Sequence, residues 1–161
     1  IGMGKGQFIY ENANKYKDIN FIGIERFDSI MAKAILKMEE VPNLRLIKYD
    51  ASLIEEVFDH EIDKIYLNFS DPWPKNRHEN RRLTSKVFLE KYQNIFRDKQ
   101  QIEVRTDNRD FFLYSVESLG DMEYTLNDVS FNYQSKDLIM TEYESKFRKK
   151  GAKIYHLFAE K

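Results

Sequence analysis

The sequence lacks cysteine altogether and has only three histidines, and each shortage excludes a class of site. Without cysteine the chain can form neither a disulfide nor a thiolate metal site, which agrees with a reducing cytosol and favours a cytoplasmic location. His60, His78 and His156 are far apart along the chain and show no ligand spacing, so we expect no metal. No apolar run approaches the roughly 20 residues that cross a bilayer. There is also no basic-then-apolar leader, so we expect no membrane association.

The sequence also lacks an excess of either charge. Its 26 lysines and arginines nearly balance its 27 aspartates and glutamates, and the net charge is −1. A protein that bound RNA over its whole surface would be more basic, so any RNA affinity must come from local patches. One basic patch lies within 75–86, and a second comprises Lys146, Arg148, Lys149 and Lys150. For the second patch we favour a solvated surface, because basic residues are common near a helix C-terminus.

Glycine is concentrated at the start of the chain, where Gly2, Gly4 and Gly6 alternate with other residues before a predicted helix over 7–16. Such a loop allows close backbone approach and leads to the free N–H groups of a helix start. A dinucleotide-binding loop would have its third glycine where Gln7 stands, and a phosphate-binding loop would have Ser or Thr after Gly-Lys. Because a glycine loop of this kind normally follows a strand, we expect a first strand and an N-terminal segment that this sequence lacks.

Acidic residues stand at the ends of successive predicted strands. The strands are predicted over 20–25, 43–49, 63–69 and 101–106, and the acids are Glu25, Asp50, Asp71 and Asp107. Ligands of open α/β sheets bind at the carboxyl ends of the strands. Glu25 follows Gly6 by 19 residues, the spacing at which a carboxylate can accept hydrogen bonds from ribose hydroxyls. The alternative for Glu25 is a surface residue at a strand end.

Helical patterns between these strands predict an α/β fold, and 161 residues with 42% hydrophobic content predict a single domain over 1–161. Segments 122–131 and 154–160 have the residue types of a closing antiparallel strand pair. Thr84 is positioned to cap a helix over 85–97, and Thr141 with Glu144 has the pattern of a capping box.

The stretch after the fourth predicted strand is chemically unusual. Asp71 leaves the strand between Ser70 and Pro72, and the only tryptophan, Trp73, lies between two prolines. The following basic residues are opposed by a single acid, Glu79; they are Lys75, Arg77, His78, Arg81 and Arg82. The stretch thus holds one carboxylate beside a cluster that could bind phosphates. The alternative is a solvated loop with a capping aspartate.

Asp71-Pro-Trp-Pro-Lys75, followed by Arg77-His78 and Arg81-Arg82-Leu83, closely resembles the signature of the bacterial tRNA (guanine-N(7)-)-methyltransferases. The glycine loop and the strand-end acids follow the family's motifs in order, as do the segments 106–108 and 141–144. The resemblance runs from Gly2 to at least Gly151. One departure is that the family places a further acid just before the glycine loop, and that position is absent.

The resemblance implies a Rossmann-like class I methyltransferase, with a mostly parallel seven-stranded sheet, helices on both faces and a C-terminal antiparallel strand pair. It implies S-adenosylmethionine as cofactor and tRNA as partner. The implied reaction is methylation of the seven-position nitrogen of a guanine in the tRNA variable loop. The oligomeric state stays open between monomer and homodimer.

Site residues carried over by position fall into four groups. The implied catalytic residue is Asp71. The implied cofactor-binding residues are Gly2, Gly4, Gly6, Glu25, Asp50, Ala51 and Asp71. The implied substrate-binding residues are Lys75, Asp107, Thr141, Glu142, Tyr143 and Glu144. The implied RNA-binding residues are Asn76, Arg77, His78, Arg81 and Arg82.

Two other functions are compatible with parts of the sequence. A small-molecule methyltransferase of the same fold would leave the arginines of 77–82 without a role. A non-catalytic RNA-binding module would keep the basic loop but would not need Glu25 and Asp50. The side chain of Trp73 either stacks on a flipped base or braces the two prolines, and we favour bracing.

Overall fold

The computed structural model describes residues 1–134 and 139–161, which form two compact units. Unit 1 comprises 1–51 with the described residues of 135–151, and unit 2 comprises 52–134 with 152–161. In chain order the elements are α1 (Gln7–Lys15), β1 (Phe21–Glu25), α2 (Asp28–Ile35), β2 (Leu44–Lys48), β3 (Ile62–Asn68), α3 (Lys86–Ile95), β4 (Phe96–Thr106), α4 (Arg109–Asp121), β5 (Thr125–Ser130), α5 (Glu142–Lys149) and β6 (Tyr155–Glu160). Short 3₁₀ helices cover Ala51–Glu56 and Asn76–Arg81. The single-domain assignment stays a prediction.

Unit 1 contains a parallel strand pair with helices from both parts of its sequence. β1 pairs with β2 from Phe21 opposite Leu44 to Glu25 opposite Lys48. α1 and α2 contact β1, and their buried side chains include Ala13, Met31 and Ala34. The two strands therefore end at the same edge, as their sequence pattern predicts.

Unit 2 contains a four-stranded mixed sheet in the order β3-β4-β6-β5. β3 and β4 are parallel, whereas β6 is antiparallel to both β4 and β5. The predicted closing antiparallel pair is confirmed. Six strands occur within 1–134 and 139–161, so the predicted seven-strand count is not confirmed.

One face of the unit 2 sheet is apolar and supplies the core of this unit. Alternate residues of three neighbouring strands are 5% exposed or less; they are Ile65, Leu67, Ile102, Val104, Leu157 and Ala159. α3 packs against β4, and α4 contacts β4, β5 and β6. Their apolar side chains Leu89, Tyr92 and Phe112 are fully buried, so the strand alternation and the helical periodicity meet in one core.

Helix caps were only partly predictable. At α5 the Thr141 hydroxyl accepts a hydrogen bond from the Glu144 N–H (2.9 Å), as the capping pattern predicts. At α3 the prediction of a Thr84 cap is wrong, because the helix begins after Ser85 and no side chain caps it. The Thr84 hydroxyl is buried and is hydrogen-bonded to Ser115 of α4 (2.8 Å).

The other face of the unit 2 sheet carries a buried ion cluster centred on Glu103. Its carboxylate contacts Lys64 Nζ (2.7 Å), Arg105 Nη2 (2.9 Å) and His156 Nε2 (3.3 Å). Burial raises the pKa of Glu103, but the hydrogen bond from His156 and the charges of Lys64 and Arg105 outweigh it and lower this pKa to about 2.

We expect this cluster to make unit 2 sensitive to acid. The folded-state pKa of Glu103 lies below its value of 4.5 in the unfolded chain, so its stabilisation is complete above pH 4.5 and is lost as pH falls toward 2. Urea unfolding of wild type and Glu103→Gln should show a free-energy difference that is largest at neutral pH and shrinks across this window. A difference that stays constant from pH 7 to pH 2 would contradict the charged cluster.

None of the helices within the described residues combines the length and the apolar character that crossing a membrane requires.

Candidate functional site

In unit 1 the glycine loop is held against the end of β1. The Met3 N–H donates to the Ile24 carbonyl (3.0 Å), and the Gly4 N–H donates to Glu25 Oε2 (3.1 Å). Gly6 has φ 79° and forms the N-cap of α1, which no side chain caps. This φ lies in the left-handed region that other side chains rarely adopt, so the position favours glycine; a Cβ would also meet the end of the flexible Met38 side chain, which can shift.

Glu25 ends β1 with a side chain that is buried but retains acceptor capacity. Its Oε1 accepts from the Phe27 N–H (3.0 Å) and its Oε2 from Gly4, while the residue is 6% exposed. Each carboxylate oxygen offers two acceptor positions, so further donors can still bind. Asp50 and Ala51 follow the paired strand β2, and Asp50 is exposed. The predicted cofactor residues of unit 1 thus lie at one edge of its strand pair.

The start of α5 carries four predicted substrate residues, and all four have contacts within unit 1. The Glu142 carboxylate contacts Lys37 (3.1 Å) and Lys5 (3.2 Å), and the hydrogen bond from Lys37 is the largest influence lowering its pKa. These contacts join α5 to the glycine loop and to the segment after α2. The Lys5 and Lys37 contacts were not predictable, because Lys37 and Glu142 are 105 residues apart.

Glu144 is fully buried in unit 1, and its Oε1 accepts from Arg148 Nη2 (2.7 Å) and Nε (2.9 Å). Tyr143 is 43% exposed and stacks on Phe147 with ring centroids 4.1 Å apart. In the second basic patch, Arg148 is therefore paired with Glu144, whereas the three lysines are not part of this pair. These lysines line a shallow pocket together with Gln7, Glu142 and Ser145; they are Lys146, Lys149 and Lys150.

In unit 2 the segment after β3 is bent sharply on both sides of Asp71. Phe69 has φ 52° and Trp73 has φ 42°, in the left-handed region that bulky residues rarely adopt. The Phe69 N–H donates to the Arg105 carbonyl (2.7 Å), which fixes the bend to β4. Asp71 is exposed. Such conformations cost about 1–3 kcal/mol each and persist where the surroundings enforce them, commonly at functional sites.

Asp107 follows β4 as Asp71 follows β3. Because Asn68 pairs with Arg105 in the parallel ladder, the two acids stand at the same edge of the unit 2 sheet. Asn108 caps α4 directly afterwards by accepting from the Phe111 N–H (2.8 Å). The unit 2 sheet therefore brings these predicted site carboxylates to one edge.

The loop after Pro74 is organised around Trp73. Arg82 donates to the Trp73 carbonyl from Nε (3.2 Å) and Nη2 (3.1 Å), and its guanidinium lies 4.2 Å from the Tyr114 ring centre. The Arg81 guanidinium lies 5.0 Å from the Trp73 ring centre, and His78 meets the same ring edge-on at 5.5 Å. These contacts hold Trp73 within the loop, and the choice between bracing the two prolines and stacking on a base stays a prediction.

The predicted RNA-binding residues thus separate into two sets. Arg82, Arg81 and His78 contact aromatic rings of the loop and of α4, whereas Asn76 and Arg77 are exposed, as is Lys75. Sequence reasoning missed Tyr114 and the bracing role of Arg82, because no local pattern connects residues so far apart. Within 1–134 and 139–161 no group of three or more side chains has the arrangement of a metal site.

Comparisons with known proteins show which family the sequence is similar to. The sequence matches the protein family described as "Putative methyltransferase" over residues 1–157. It is 46% identical to a tRNA (guanine-N(7)-)-methyltransferase of Bacillus licheniformis, over 99% of this chain and 78% of that protein. A protein of the same name from Oceanobacillus iheyensis is 48% identical, over 96% of this chain and 76% of the relative.

Solved structures show the fold. An antibiotic-related methyltransferase matches with a TM-score of 0.71 at 17% identity, over 100% of this chain and 84% of the other. A 16S rRNA (adenine(1408)-N(1))-methyltransferase of Catenulisporales acidiphilia matches with a TM-score of 0.67 at 13% identity, over 99% and 82%. The chain therefore has the Rossmann-like fold of class I methyltransferases, with a mixed sheet and helices.

Proposed function

The chain belongs to the tRNA (guanine-N(7)-)-methyltransferase family, and from this premise we propose that it transfers a methyl group from S-adenosylmethionine to N7 of a guanine in tRNA. The observation that carries the proposal is the Asp71-Pro-Trp-Pro-Lys75 segment, whose carboxylate stands at the carboxyl end of β3 beside a braced basic loop. We also propose that the target lies in the tRNA variable loop, as the family resemblance implies.

Unit 1 supplies several features that would hold S-adenosylmethionine, although the acid that the family places just before the glycine loop is absent from this sequence. Gly2, Gly4 and Gly6 all have positive φ, so the loop backbone is open to close approach. The buried Glu25 carboxylate has acceptor positions for ribose hydroxyls, and the exposed Asp50 offers an acceptor for an adenine amine. When bound, S-adenosylmethionine supplies a methyl group on a positively charged sulfur. These residues hold and orient it, with Ala51 as a further contact.

Guanine N7 carries a lone pair and no proton, so the reaction needs no base to deprotonate the nucleophile. The chain's main task is then to position the guanine, which can account for about 7–11 kcal/mol of a barrier. Asp71 would accept hydrogen bonds from the ring N–H and the amino group of the base. Its negative charge would also offset the positive charge that develops on the purine as the methyl group arrives.

The remaining predicted substrate residues have narrower roles. Asp107 would be a second acceptor at the same edge of the unit 2 sheet, and Lys75 would meet a phosphate. Thr141 and Tyr143 are proposed as substrate contacts on α5, with Glu142 and Glu144. The carboxylates of Glu142 and Glu144 already accept from lysine and arginine partners, so we propose that they act mainly by fixing α5.

The experiment that tests the function is incubation of the full-length protein with unmodified tRNA transcript and methyl-labelled S-adenosylmethionine, followed by digestion to nucleosides. We expect the label in 7-methylguanosine. If the tRNA stays unlabelled and a parallel incubation with a cell extract places the label in a small molecule, the small-molecule methyltransferase is supported. Binding of tRNA with no methylation would support the non-catalytic RNA-binding module.

We propose that the exposed side chains of the loop, Lys75 and Arg77, bind tRNA phosphates with Asn76, while Arg82 holds the loop in shape. Exposed cations bind phosphates by releasing counterions, which makes affinity fall with salt. The Arg82 guanidinium is committed to the Trp73 carbonyl and the Tyr114 ring, so its removal should loosen the loop before it removes a phosphate contact.

Replacing Lys75 and Arg77 together with alanine should weaken tRNA binding and flatten its salt dependence. Each lost phosphate contact should reduce the log–log slope of affinity against salt by about 0.7–0.9. Filter binding at several salt concentrations measures the slope. The matched control is Arg97→Ala with Lys99→Ala, which removes the same charge at the amino end of β4. Equal slopes for the loop variant and wild type would mean that these side chains are only a solvated surface.

A further inference from the structure

Two polar atoms next to Asp71 are shielded from solvent and have no hydrogen-bond partner among the described residues. They are Asn68 Oδ1, at the end of β3, and Ser70 Oγ, directly before Asp71. The large majority of buried side-chain polar atoms in proteins have at least one hydrogen-bond partner. Leaving one unpaired costs about 1–3 kcal/mol. Two such atoms within three residues are a local cost to folding that a bound ligand can remove.

The backbone between these two residues strengthens this interpretation. Phe69 separates them with φ 52°, so the segment combines backbone strain with two unpaired acceptors. The Tyr92 hydroxyl is also buried and unpaired, but it belongs to the core side of α3. Tyr92 therefore serves as a control, because its hydroxyl is also buried and unpaired but lies in α3 and not in the segment 68–71.

We propose that Asn68 and Ser70 bind the guanine that is methylated, by accepting hydrogen bonds from its amino group and its ring N1–H. This inference rests on the proposed function. Guanine presents three N–H hydrogens on its Watson–Crick edge, and the segment 68–71 supplies three oxygen-bearing side chains, with Asp71 as the third. Adenine presents a ring acceptor where guanine has N1–H, so the acceptor-only oxygens of Asn68 Oδ1 and the Asp71 carboxylate would find no donor there. The two residues would thus contribute to base specificity.

Ser70→Ala and Asn68→Leu remove the acceptors while nearly preserving side-chain size. We expect kcat/KM for tRNA to fall about three- to tenfold in each variant, as expected for one lost hydrogen bond. The thermal midpoint should stay the same or rise, because no hydrogen bond of the free protein is lost. Calorimetric affinity for S-adenosylmethionine should be unchanged. Tyr92→Phe should likewise keep or raise the midpoint, but with full methylation.

A tRNA that carries inosine at the target position tests the contact itself, because inosine keeps N7 and N1–H but lacks the amino group. If either oxygen accepts from that amino group, at least one variant should lose less activity with inosine than with guanine. Equal losses on both tRNAs for both variants would overturn the inference, as would a lowered midpoint or weakened cofactor affinity. A wild type that fails to methylate tRNA would instead defeat the proposed function. If Asn68→Leu does not fold, Ser70→Ala alone decides between these results.

Discussion

Asp71→Asn should lower the single-turnover rate of tRNA methylation at least tenfold, which is about 1.4 kcal/mol in the barrier. The substitution keeps the size of the side chain but removes the charge that opposes the positive charge developing on guanine. The single-turnover rate of the Asp71→Ala variant should fall further, because the hydrogen-bond acceptor is lost as well. Since Asp71 is exposed, neither change should disturb the fold.

The measurement uses saturating cofactor and tRNA, so that the rate reports the chemical step. Asp98→Asn is the matched control, since Asp98 is an exposed aspartate in the first part of β4. Affinity for tRNA and the thermal midpoint should match wild type in all three variants. Wild-type rates in both Asp71 variants would leave this residue as part of a turn and remove it from the catalytic assignment.

Glu25→Ala should weaken S-adenosylmethionine binding about ten- to a hundredfold. The loss of a charged hydrogen bond to the ribose costs about 1.5–3 kcal/mol. The same substitution removes the acceptor for the Gly4 and Phe27 N–H groups, so the glycine loop also loses its attachment to the end of β1. Both effects should weaken S-adenosylmethionine binding.

Calorimetry on the full-length protein measures this affinity, and two variants separate the causes. Glu25→Gln keeps one carbonyl oxygen and should fall between wild type and Glu25→Ala. Glu40→Ala removes an exposed glutamate beyond α2 and should bind as wild type does. Unchanged affinity in Glu25→Ala would mean that the ribose is bound elsewhere.

The parts of the fold that depend on local pattern were predictable. Each predicted strand segment overlaps a strand, although β4 begins at Phe96, within the helix predicted over 85–97. The parallel pairs bring Glu25 with Asp50, and Asp71 with Asp107, to strand ends within their own units. This works because strand alternation and helical periodicity are short-range properties of the sequence. The Thr141 cap was predictable for the same reason, since its partner is three residues away.

The parts that depend on distant contacts were not predictable. Thr84 has the residue type of a cap, yet its hydroxyl bonds to Ser115, which is 31 residues away. The loop arginines were predicted as one phosphate-binding group, but Arg82 contacts the Trp73 carbonyl and the Tyr114 ring. The charged residues of the Glu103 cluster lie on three strands that only the folded sheet brings together. Local periodicity contains no information about such pairings.

The most direct test of methyl transfer to guanine N7 compares two tRNA transcripts that differ only at the target guanine. One carries guanine and the other 7-deazaguanine, in which carbon replaces N7, and both are incubated with the full-length protein and methyl-labelled S-adenosylmethionine. We expect 7-methylguanosine from the first transcript and no label in the second. Equal labelling of both transcripts, or label in any other nucleoside, would contradict methyl transfer to guanine N7.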